Sequence, residues 1–215
     1  PFFSPSGGIT PHNNFSIKSN KAEVLFIDYI NEHLKPNGRA GIIVPEGVIS
    51  NPGAYKQLRK KLVETSLIAV IDLPSGIFLP YSGVKTNILI LDKNLNKKID
   101  TISFFNIKKD GFDLSTNRRK NKENDIPNII NLFKNNFENL KNSNVIKKED
   151  ILSSDDISLS IGYYKEIIKI SSKFNIVKLG EVCGFQGGSQ PPKEKFIFEK
   201  KDGYIRFNQI RDFSN

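Results

Sequence analysis

Few of the residues that build cross-links and metal sites occur in this sequence of 215 residues. It contains one cysteine, Cys183, and two histidines, His12 and His33, with no methionine and no tryptophan. A single cysteine cannot form an internal disulfide, and one cysteine with two histidines is too small a set for the usual zinc sites. The composition therefore excludes disulfide scaffolds, zinc fingers and zinc hydrolases, and we expect no bound metal.

Long hydrophobic runs are also absent. No run approaches the roughly 20 apolar residues that cross a bilayer, and no basic and then apolar leader opens the chain. We therefore expect a soluble protein of the cytoplasm with no membrane partner. An initiator methionine is often removed before proline, so the absence of methionine does not prove truncation. The apolar start Pro1-Phe2-Phe3 nevertheless indicates a chain that begins inside a domain.

Basic residues outnumber acidic ones, with 32 Lys and Arg against 23 Asp and Glu and a formal net charge of +9. This balance is compatible with binding a polyanion such as DNA. Asparagine and isoleucine are abundant beside lysine, which an AT-rich genome would also produce. Charge alone leaves both explanations open.

Two common catalytic devices are missing. The sequence has neither a G-x-S-x-G elbow nor a G-x-x-x-x-G-K-[ST] loop. The glycine-rich residues 184–188 lead into Pro191-Pro192 and not into a helix, which argues against a loop that binds phosphate at a helix N-terminus. A serine hydrolase and a P-loop enzyme are both disfavoured.

The first half of the chain alternates helix and strand patterns. Apolar residues have helical spacing over 21–34 and 54–64, and each of these segments precedes a continuously apolar run, at 39–44 and 67–71. Strands without alternation suggest a parallel sheet that is buried on both faces. The pattern predicts an α/β, doubly wound sheet.

Further strands follow. The apolar run 87–91 comes after a loop that has no helical pattern, so a crossover is difficult and we expect this strand to pair antiparallel. Residues 101–105 predict one more strand. The chain then turns polar, and we expect a flexible stretch from 108 and a peripheral helix through Ile129 and Leu132, with a short connecting helix at 163–173.

These patterns predict three regions, namely an α/β domain over 1–107, a charged connector over 108–174, and the start of a second domain over 175–215. In open α/β sheets, ligands bind beyond the carboxyl ends of the strands. Residues 75–80 follow the strand at 67–71, so we expect them, with Pro1-Phe2-Phe3, at that edge. The basic run from Arg118 to Lys122 could contact phosphates or form a solvated charged loop.

Two segments carry a family resemblance. LKPNGRAGIIVPEGVI at 34–49 and LPSGIFLPYSGVKTNILILDK at 73–93 resemble the C-terminal half of the N6-adenine DNA methylase subunit of bacterial restriction-modification systems. The similarity covers roughly residues 1–165, and 80–86 is its most specific part. It implies the C-terminal half of a Rossmann-like, S-adenosylmethionine-dependent methyltransferase sheet.

The resemblance also implies roles for individual residues. The family's catalytic motif is Asn-Pro-Pro followed by Phe or Tyr, and Pro1 and Phe2 would be its last two residues, with Phe3 as the alternative aromatic. In the family, the Asn side chain and the first Pro carbonyl hold the adenine amino group. The flipped base then stacks on the aromatic ring, here Phe2, and Phe78 packs on it from another side.

Other residues have a functional and a structural interpretation. By resemblance Phe26 contacts the adenine of S-adenosylmethionine, although an aromatic residue on an apolar helix stripe is more often part of the core. Lys85 and Thr86 contact DNA or only shape the turn before the last strand. Both interpretations stay open for these three residues.

The C-terminal tail resembles the opening of the target-recognition domain of specificity subunits, through VKLGEV at 177–182, GGSQP at 187–191 and GYIRFNQIR at 203–211. This resemblance implies the start of an α/β recognition domain with Arg206 and Arg211 on DNA. It also implies partners, namely double-stranded DNA, the remaining methylase half, and specificity and restriction subunits.

We therefore expect part of a DNA adenine N6-methyltransferase that is inactive as the 215-residue chain alone. The strand at 39–44 would present an open apolar edge, which favours an oligomer or a partner chain. A non-catalytic DNA-binding or assembly module of a restriction-modification complex is the alternative. An RNA or protein methyltransferase is a third possibility, against which the recognition-like tail argues.

Overall fold

The computed structural model describes residues 12–134 and 144–164, together with residues 177, 179–184, 192, 194, 196, 197, 199, 202 and 203. The chain divides into two compact units, residues 1–167 and residues 168–215. No helix in the described part of the chain is long and apolar enough to cross a membrane.

The first unit alternates helices and strands along its length. Its elements in chain order are α1 Ala22–His33, β1 Arg39–Pro45, α2 Glu46–Ser50, α3 Ala54–Thr65, β2 Leu67–Asp72, β3 Thr86–Asp92, α4 Lys93–Asn96, β4 Thr101–Asn106, β5 Asp110–Phe112, β6 Lys120–Asn124, α5 Ile126–Lys134, β7 Asn144–Lys147 and α6 Lys148–Ser153, followed by a 3-10 turn at Ile161–Tyr163. The described residues of the second unit include one short helix, α7 Leu179–Val182.

Five strands form a mixed sheet in the order β1-β3-β2-β4-β7. β3 pairs antiparallel with both β1 and β2, β2 pairs parallel with β4, and β4 pairs antiparallel with β7. β1, β2 and β4 therefore run in one direction, and their carboxyl ends meet at one edge of the sheet. β5 and β6 form a separate two-stranded hairpin.

The sheet separates two hydrophobic layers. On one face, alternate residues such as Val70, Leu89 and Phe104 pack with α1, α2, α3 and α6. On the other face, Ala69, Ile71 and Phe105 pack with α5. The side chains of β2 therefore supply both cores, with Leu67 and Val70 in one layer and Ala69 and Ile71 in the other, and each of its first five residues is buried.

Two polar residues are buried on α1 together with apolar residues such as Val24 and Ile27. Asp28 and Asn31 are 0% and 2% exposed. Asp28 accepts a hydrogen bond from Ser16 Oγ at 2.9 Å, and Asn31 accepts one from Ser66 Oγ at 2.5 Å. These partners offset the cost of burying a carboxylate and an amide.

Arg59 of α3 lies completely buried and bonds only backbone carbonyls. Its Nε donates to the carbonyl of Ile157 at 2.7 Å, and its Nη1 donates to the carbonyls of Val48 and Asn51 at 3.0 and 2.8 Å. Its Nη2 donates to the carbonyl of Asp156 at 2.7 Å. One side chain thus joins the end of α2 to the segment that follows α6.

Most of the predicted elements are present. The helices at 21–34 and 54–64 and the strands at 67–71, 87–91 and 101–105 are confirmed to within one or two residues, and 87–91 pairs antiparallel as predicted. The peripheral helix through Ile129 and Leu132 is α5. The connecting helix predicted at 163–173 lies almost wholly outside the described residues.

The sheet is mixed, as the antiparallel strand predicted at 87–91 requires, and β3 lies between β1 and β2. Two predictions were wrong. The strand at 39–44 is not buried on both faces, because β1 is an edge strand and Ile43 is 41% exposed. The stretch from 108 is not simply flexible, because it forms the β5–β6 hairpin.

Candidate functional site

The carboxyl edge of the parallel strands collects polar residues from three parts of the chain. β1 ends at Pro45 and is followed by Glu46, β2 ends at Asp72, and β3 begins at Thr86. Because β3 runs the opposite way, its first residues lie at the edge where the other strands end. In open α/β sheets this edge is the usual place for ligands.

Two polar pairs tie these segments together. Asn87 Nδ2 donates to Glu46 Oε2 at 2.6 Å, and the Glu46 amide donates to the Lys85 carbonyl at 3.1 Å. Lys85 Nζ lies 3.0 Å from Asp72 Oδ1 in an ion pair. The beginning of β3 is therefore fixed against the ends of β1 and β2.

Lys85 and Thr86 differ in how accessible they are. The Lys85 side chain is 41% exposed despite its pairing with Asp72. Thr86 is 2% exposed, and its hydroxyl has no hydrogen-bond partner among the described residues. The ion pair and the burial fit the interpretation that both residues shape the turn, and their contact with DNA stays a prediction.

A small pocket lies at this edge. Its polar lining is Glu46, Asp72, Lys85, Asn87 and Ser160, and apolar side chains such as Phe104 and Phe105 close it. Its volume of about 20 Å³ holds roughly one water molecule. This pocket is therefore too small for a nucleobase.

The loop between β2 and β3 carries Phe78 at the same edge. The ring of Phe78 is partly buried and packs against the core layer of Ile71 and Phe105. The Leu79 amide donates to the Gly76 carbonyl at 3.1 Å, and the Tyr81 amide donates to the Phe78 carbonyl at 2.9 Å. Gly76 has a φ of 84°, a conformation that glycine adopts without strain.

Tyr81, which follows Phe78 in the same loop, is 95% exposed. The loop thus has one aromatic ring anchored in the core and a second one in solvent. Sequence reasoning selected Phe78 and did not select Tyr81, because only the structure distinguishes the anchored ring from the free one.

Phe26 lies on the solvent side of α1. It is 52% exposed, as is Tyr29, whose ring stacks on His33 with centroids 3.9 Å apart. The interpretation of Phe26 as a core residue is therefore wrong, because Asp28 and Asn31 occupy the buried face in place of Phe26 and Tyr29. Its predicted contact with S-adenosylmethionine stays a prediction, and its exposed aromatic face fits such a contact.

An open hollow of about 480 Å³ adjoins α1. Its lining consists of His12, Asn14, Phe15, Asp28, Tyr29, Glu32 and His33. Phe26 does not line it, so the hollow and the predicted cofactor contact are separate features of the helix.

Four predicted site residues lie outside the described residues, namely Pro1, Phe2, Arg206 and Arg211. Their predicted roles stay predictions. The part of the chain that the structure describes contains no group of three or more His, Cys, Asp or Glu residues that could hold a metal ion.

The network around Arg59 was not predicted from the sequence. Its acceptors are backbone carbonyls far away along the chain, so no pairing of residue types signals it. Burial lowers the pKa of the Arg59 guanidinium to about 10, which still leaves it charged at neutral pH. The four carbonyl oxygens replace the water that this cation loses.

Comparisons with known proteins agree with this architecture. Residues 10–173 match the family model described as N-6 DNA Methylase. The methylase subunit of the type I restriction enzyme EcoEI from Escherichia coli is 34% identical over 87 residues, which are 40% of this chain and 18% of that protein. The MpnII methylase subunit from Mycoplasma pneumoniae is 29% identical over 163 residues, 75% of this chain and 28% of that protein.

Two solved structures share the fold. The type I restriction-modification methyltransferase subunit from Streptococcus thermophilus has a TM-score of 0.56 and 27% identity, covering 69% of this chain and 31% of that one. A modification subunit from Vibrio vulnificus has a TM-score of 0.54 and 22% identity, covering 71% and 35%. The chain spans less than a third of either curated relative. Since the family model matches most of its length, the chain belongs to the N-6 DNA methylase family.

Proposed function

We propose that this chain is part of an S-adenosylmethionine-dependent DNA adenine N6-methyltransferase of a type I restriction-modification system. The observation that carries the proposal is the family match over residues 10–173, which includes the whole edge formed by β1, β2 and β3. The similarity to type I methylase subunits supports the assignment to a type I system.

Methyl transfer to the amino group of adenine requires that the adenine leaves the duplex. The lone pair of the adenine amino group is delocalised into the ring, so this group is a weak nucleophile and must be held close to the methyl donor. A base that leaves the stack loses its neighbours, and aromatic rings replace them. We assign this role to Phe2, with Phe3 as the alternative, and to Phe78.

Phe78 suits this role because its ring and its backbone are both held in place. Its ring packs on the core while the hydrogen bonds of the 76–82 loop fix its backbone. A ring that is already held in place loses little conformational freedom when a base stacks on it. S-adenosylmethionine, when bound, supplies the methyl group, and we assign the exposed ring of Phe26 to its adenine.

The partners follow from the same assignment. We propose that the full gene product containing this chain binds double-stranded DNA in the cytoplasm, together with specificity and restriction subunits. We further propose that residues 175–215 begin a recognition domain in which Arg206 and Arg211 contact DNA. The remaining methylase half would supply the Asn of the motif and most of the cofactor site.

The proposal is tested by mapping methylated bases. The full gene product, with any specificity subunit encoded beside it, is expressed in a host that lacks adenine methylation, and N6-methyladenine is located by single-molecule sequencing. We expect methylation at one defined DNA sequence. Phe2→Ala should abolish it and Phe3→Ala should retain it, whereas the opposite result would assign the aromatic position to Phe3.

Two other outcomes have distinct meanings. Sequence-specific DNA binding without methylation would replace the proposal by a non-catalytic DNA-binding or assembly module. Methyl transfer to RNA or protein, but not to duplex DNA, would change the substrate class. We expect the 215-residue chain alone to transfer no labelled methyl group to DNA.

A further inference from the structure

The β5–β6 hairpin combines many charges in a short segment at the carboxyl edge. It follows β4, whose last residue is Asn106, and it therefore leaves the sheet at the edge that holds Asp72 and Lys85. Residues 108–125 include six basic and four acidic side chains. How these charges are paired decides what the hairpin presents to a ligand.

Each of the four carboxylates has a partner within the hairpin. Asp110 pairs with Arg118, Asp113 accepts from Asn121 at 3.1 Å, Glu123 lies 3.0 Å from Lys109 Nζ, and Asp125 accepts from the backbone amides of Lys108 and Lys109 at 2.9 Å. The negative charge is thus used internally, in holding the two strands and the turn together.

Four of the six cations, Lys108 among them, have no ion-pair partner among the described residues, and the other three lie in β6 or directly before it. Arg119, Lys120 and Lys122 are exposed, and none of them forms an ion pair with another described residue. Arg118 differs from them, since its guanidinium also lies 5.4 Å from the centroid of the Phe112 ring. The hairpin therefore presents unpaired positive charge, while two of its carboxylates are paired with cations and the other two accept hydrogen bonds from an amide side chain and from backbone amides.

The hairpin adjoins the loop that carries Phe78. A Cβ atom placed on Gly76 would lie 3.7 Å from the carbonyl oxygen of Leu114, which is ordinary van der Waals contact. Gly76 is two residues before Phe78, so the turn of the hairpin and the aromatic loop are neighbours. An extended polyanion at Phe78 and Tyr81 would continue onto the cations of the hairpin.

We propose that Arg119, Lys120 and Lys122 bind the phosphates of duplex DNA beside the target base. The inference rests on the proposed methyltransferase function and adds a positioning surface to it. Phosphate contacts fix the register of a protein on DNA without reading its sequence. The hairpin would thus hold the duplex while the Phe78 loop accepts the base.

Salt dependence of DNA binding tests this proposal. The full gene product, with its specificity subunit, is compared with the variant Arg119→Gln, Lys120→Gln, Lys122→Gln on a duplex that contains the methylated sequence. Each lost phosphate contact should reduce the slope of log K against log salt by about 0.9. We expect the slope to flatten by roughly 2 to 3, and the affinity at about 0.1 M salt to fall on the order of ten- to a hundredfold.

A matched control removes the same charge elsewhere. Lys35, Lys97 and Lys98 are exposed and lie near the amino ends of β1 and β4, at the opposite edge of the sheet. The control variant carries Lys35→Gln, Lys97→Gln and Lys98→Gln together. Its salt slope and its affinity for DNA should stay close to those of the unmodified protein. The hairpin variant should also lose affinity for a duplex of scrambled sequence, by a similar factor, because phosphate contacts carry no sequence information.

The outcomes separate this inference from the function on which it rests. If the unmodified protein methylates DNA and the hairpin variant keeps its slope and affinity, the hairpin proposal is wrong and the function stands. Equal losses in the hairpin and control variants would also overturn it, since they would reflect net charge alone. If the unmodified protein neither binds nor methylates duplex DNA, both proposals fail.

Discussion

The ammonium of Lys61 lies 2.6 Å from the carboxylate of Asp28, and this pair joins α3 to α1. The Asp28 side chain is 1% exposed and that of Lys61 is 21% exposed. Lys61 also pairs with the more exposed Glu32. The pair explains how a carboxylate occupies the buried face of α1, and it adds an ionic contact to the hydrogen bonds of Tyr55 with Glu23 and of Asn31 with Thr65 between the same helices.

Replacement of Lys61 should therefore destabilise the fold. Lys61→Met leaves Asp28 with hydrogen bonds from Ser16 alone, and we expect a loss of about 2–3 kcal/mol in the free energy of unfolding, somewhat below the cost of breaking a completely buried pair. Urea denaturation of the 215-residue chain measures it. The control Lys60→Met, an exposed neighbour on α3, should change the free energy by less than about 0.5 kcal/mol.

The same pair predicts a dependence on alkaline pH. Burial by itself lowers the pKa of Lys61, but the hydrogen bonds with Asp28 and Glu32 outweigh it, and the net pKa is raised. A raised pKa means that the stabilisation is complete below the unfolded value of about 10.4 and is lost as pH rises through the higher folded value. The difference in stability between the unmodified chain and Lys61→Met should shrink above about pH 10.4, and a constant difference would contradict this account.

Arg59 should be more sensitive to substitution than any exposed residue of α3. Arg59→Met removes the donors to four carbonyls, two of them in fully buried hydrogen bonds, and we expect a loss of about 3–5 kcal/mol. Arg59→Lys keeps the charge but not the planar set of donors, so it should recover only part of the loss. Chemical denaturation measures both variants, and a loss under about 1 kcal/mol for Arg59→Met would contradict the structural role.

Phe78 should affect methyl transfer through its aromatic face. Phe78→Leu keeps apolar packing against Ile71 and Phe105 but removes stacking, which is worth about 1–3 kcal/mol per base. We expect a 10- to 100-fold slower methyl transfer by the full gene product, on the order of that stacking energy. The fluorescence of 2-aminopurine at the target position reports whether the base leaves the stack.

The matched control for Phe78 is Ile77→Leu, which alters the adjacent, partly buried side chain of the same loop. It should leave both the rate and the fluorescence nearly unchanged. Similar effects of the two substitutions would mean that the loop contributes only its packing.

Phe26 and Tyr29 provide a matched pair for the cofactor, since both are 52% exposed on α1. Phe26→Leu should raise the Kd for S-adenosylmethionine about tenfold, in line with one lost aromatic contact of about 1.4 kcal/mol. Tyr29→Leu should leave it unchanged. Isothermal calorimetry on the full gene product measures both constants, and equal effects would argue against a specific contact at Phe26.

The order of elements could be predicted because it depends on local patterns. Apolar runs at 67–71 and 87–91 predict strands whatever surrounds them, and the missing helix between them predicts the antiparallel pairing of β3. The position of β3 between β1 and β2 could not be predicted, because neighbouring strands are chosen by contacts between distant segments.

The buried face of α1 could not be predicted for a related reason. The apolar stripe of the helix favours Phe26 as a core residue, whereas the structure exposes Phe26 and buries Asp28 and Asn31. Their partners Ser16, Lys61 and Ser66 lie 12 to 35 residues away along the chain. The β5–β6 hairpin escaped prediction because it is held by polar contacts among charged residues, a composition that also typifies flexible loops.

The antiparallel direction of β3 has a consequence for the segment 73–85 between β2 and β3. Both ends of this segment are attached at one edge, by the pair Asp72 and Lys85 and by the hydrogen bond of the Leu73 amide to the Thr86 carbonyl at 3.2 Å. Its length can therefore change without displacing either strand, and doubling it costs only about 0.6 kcal/mol of closure entropy. A protein of this design can acquire a new binding surface by insertion at this one place while its sheet is preserved.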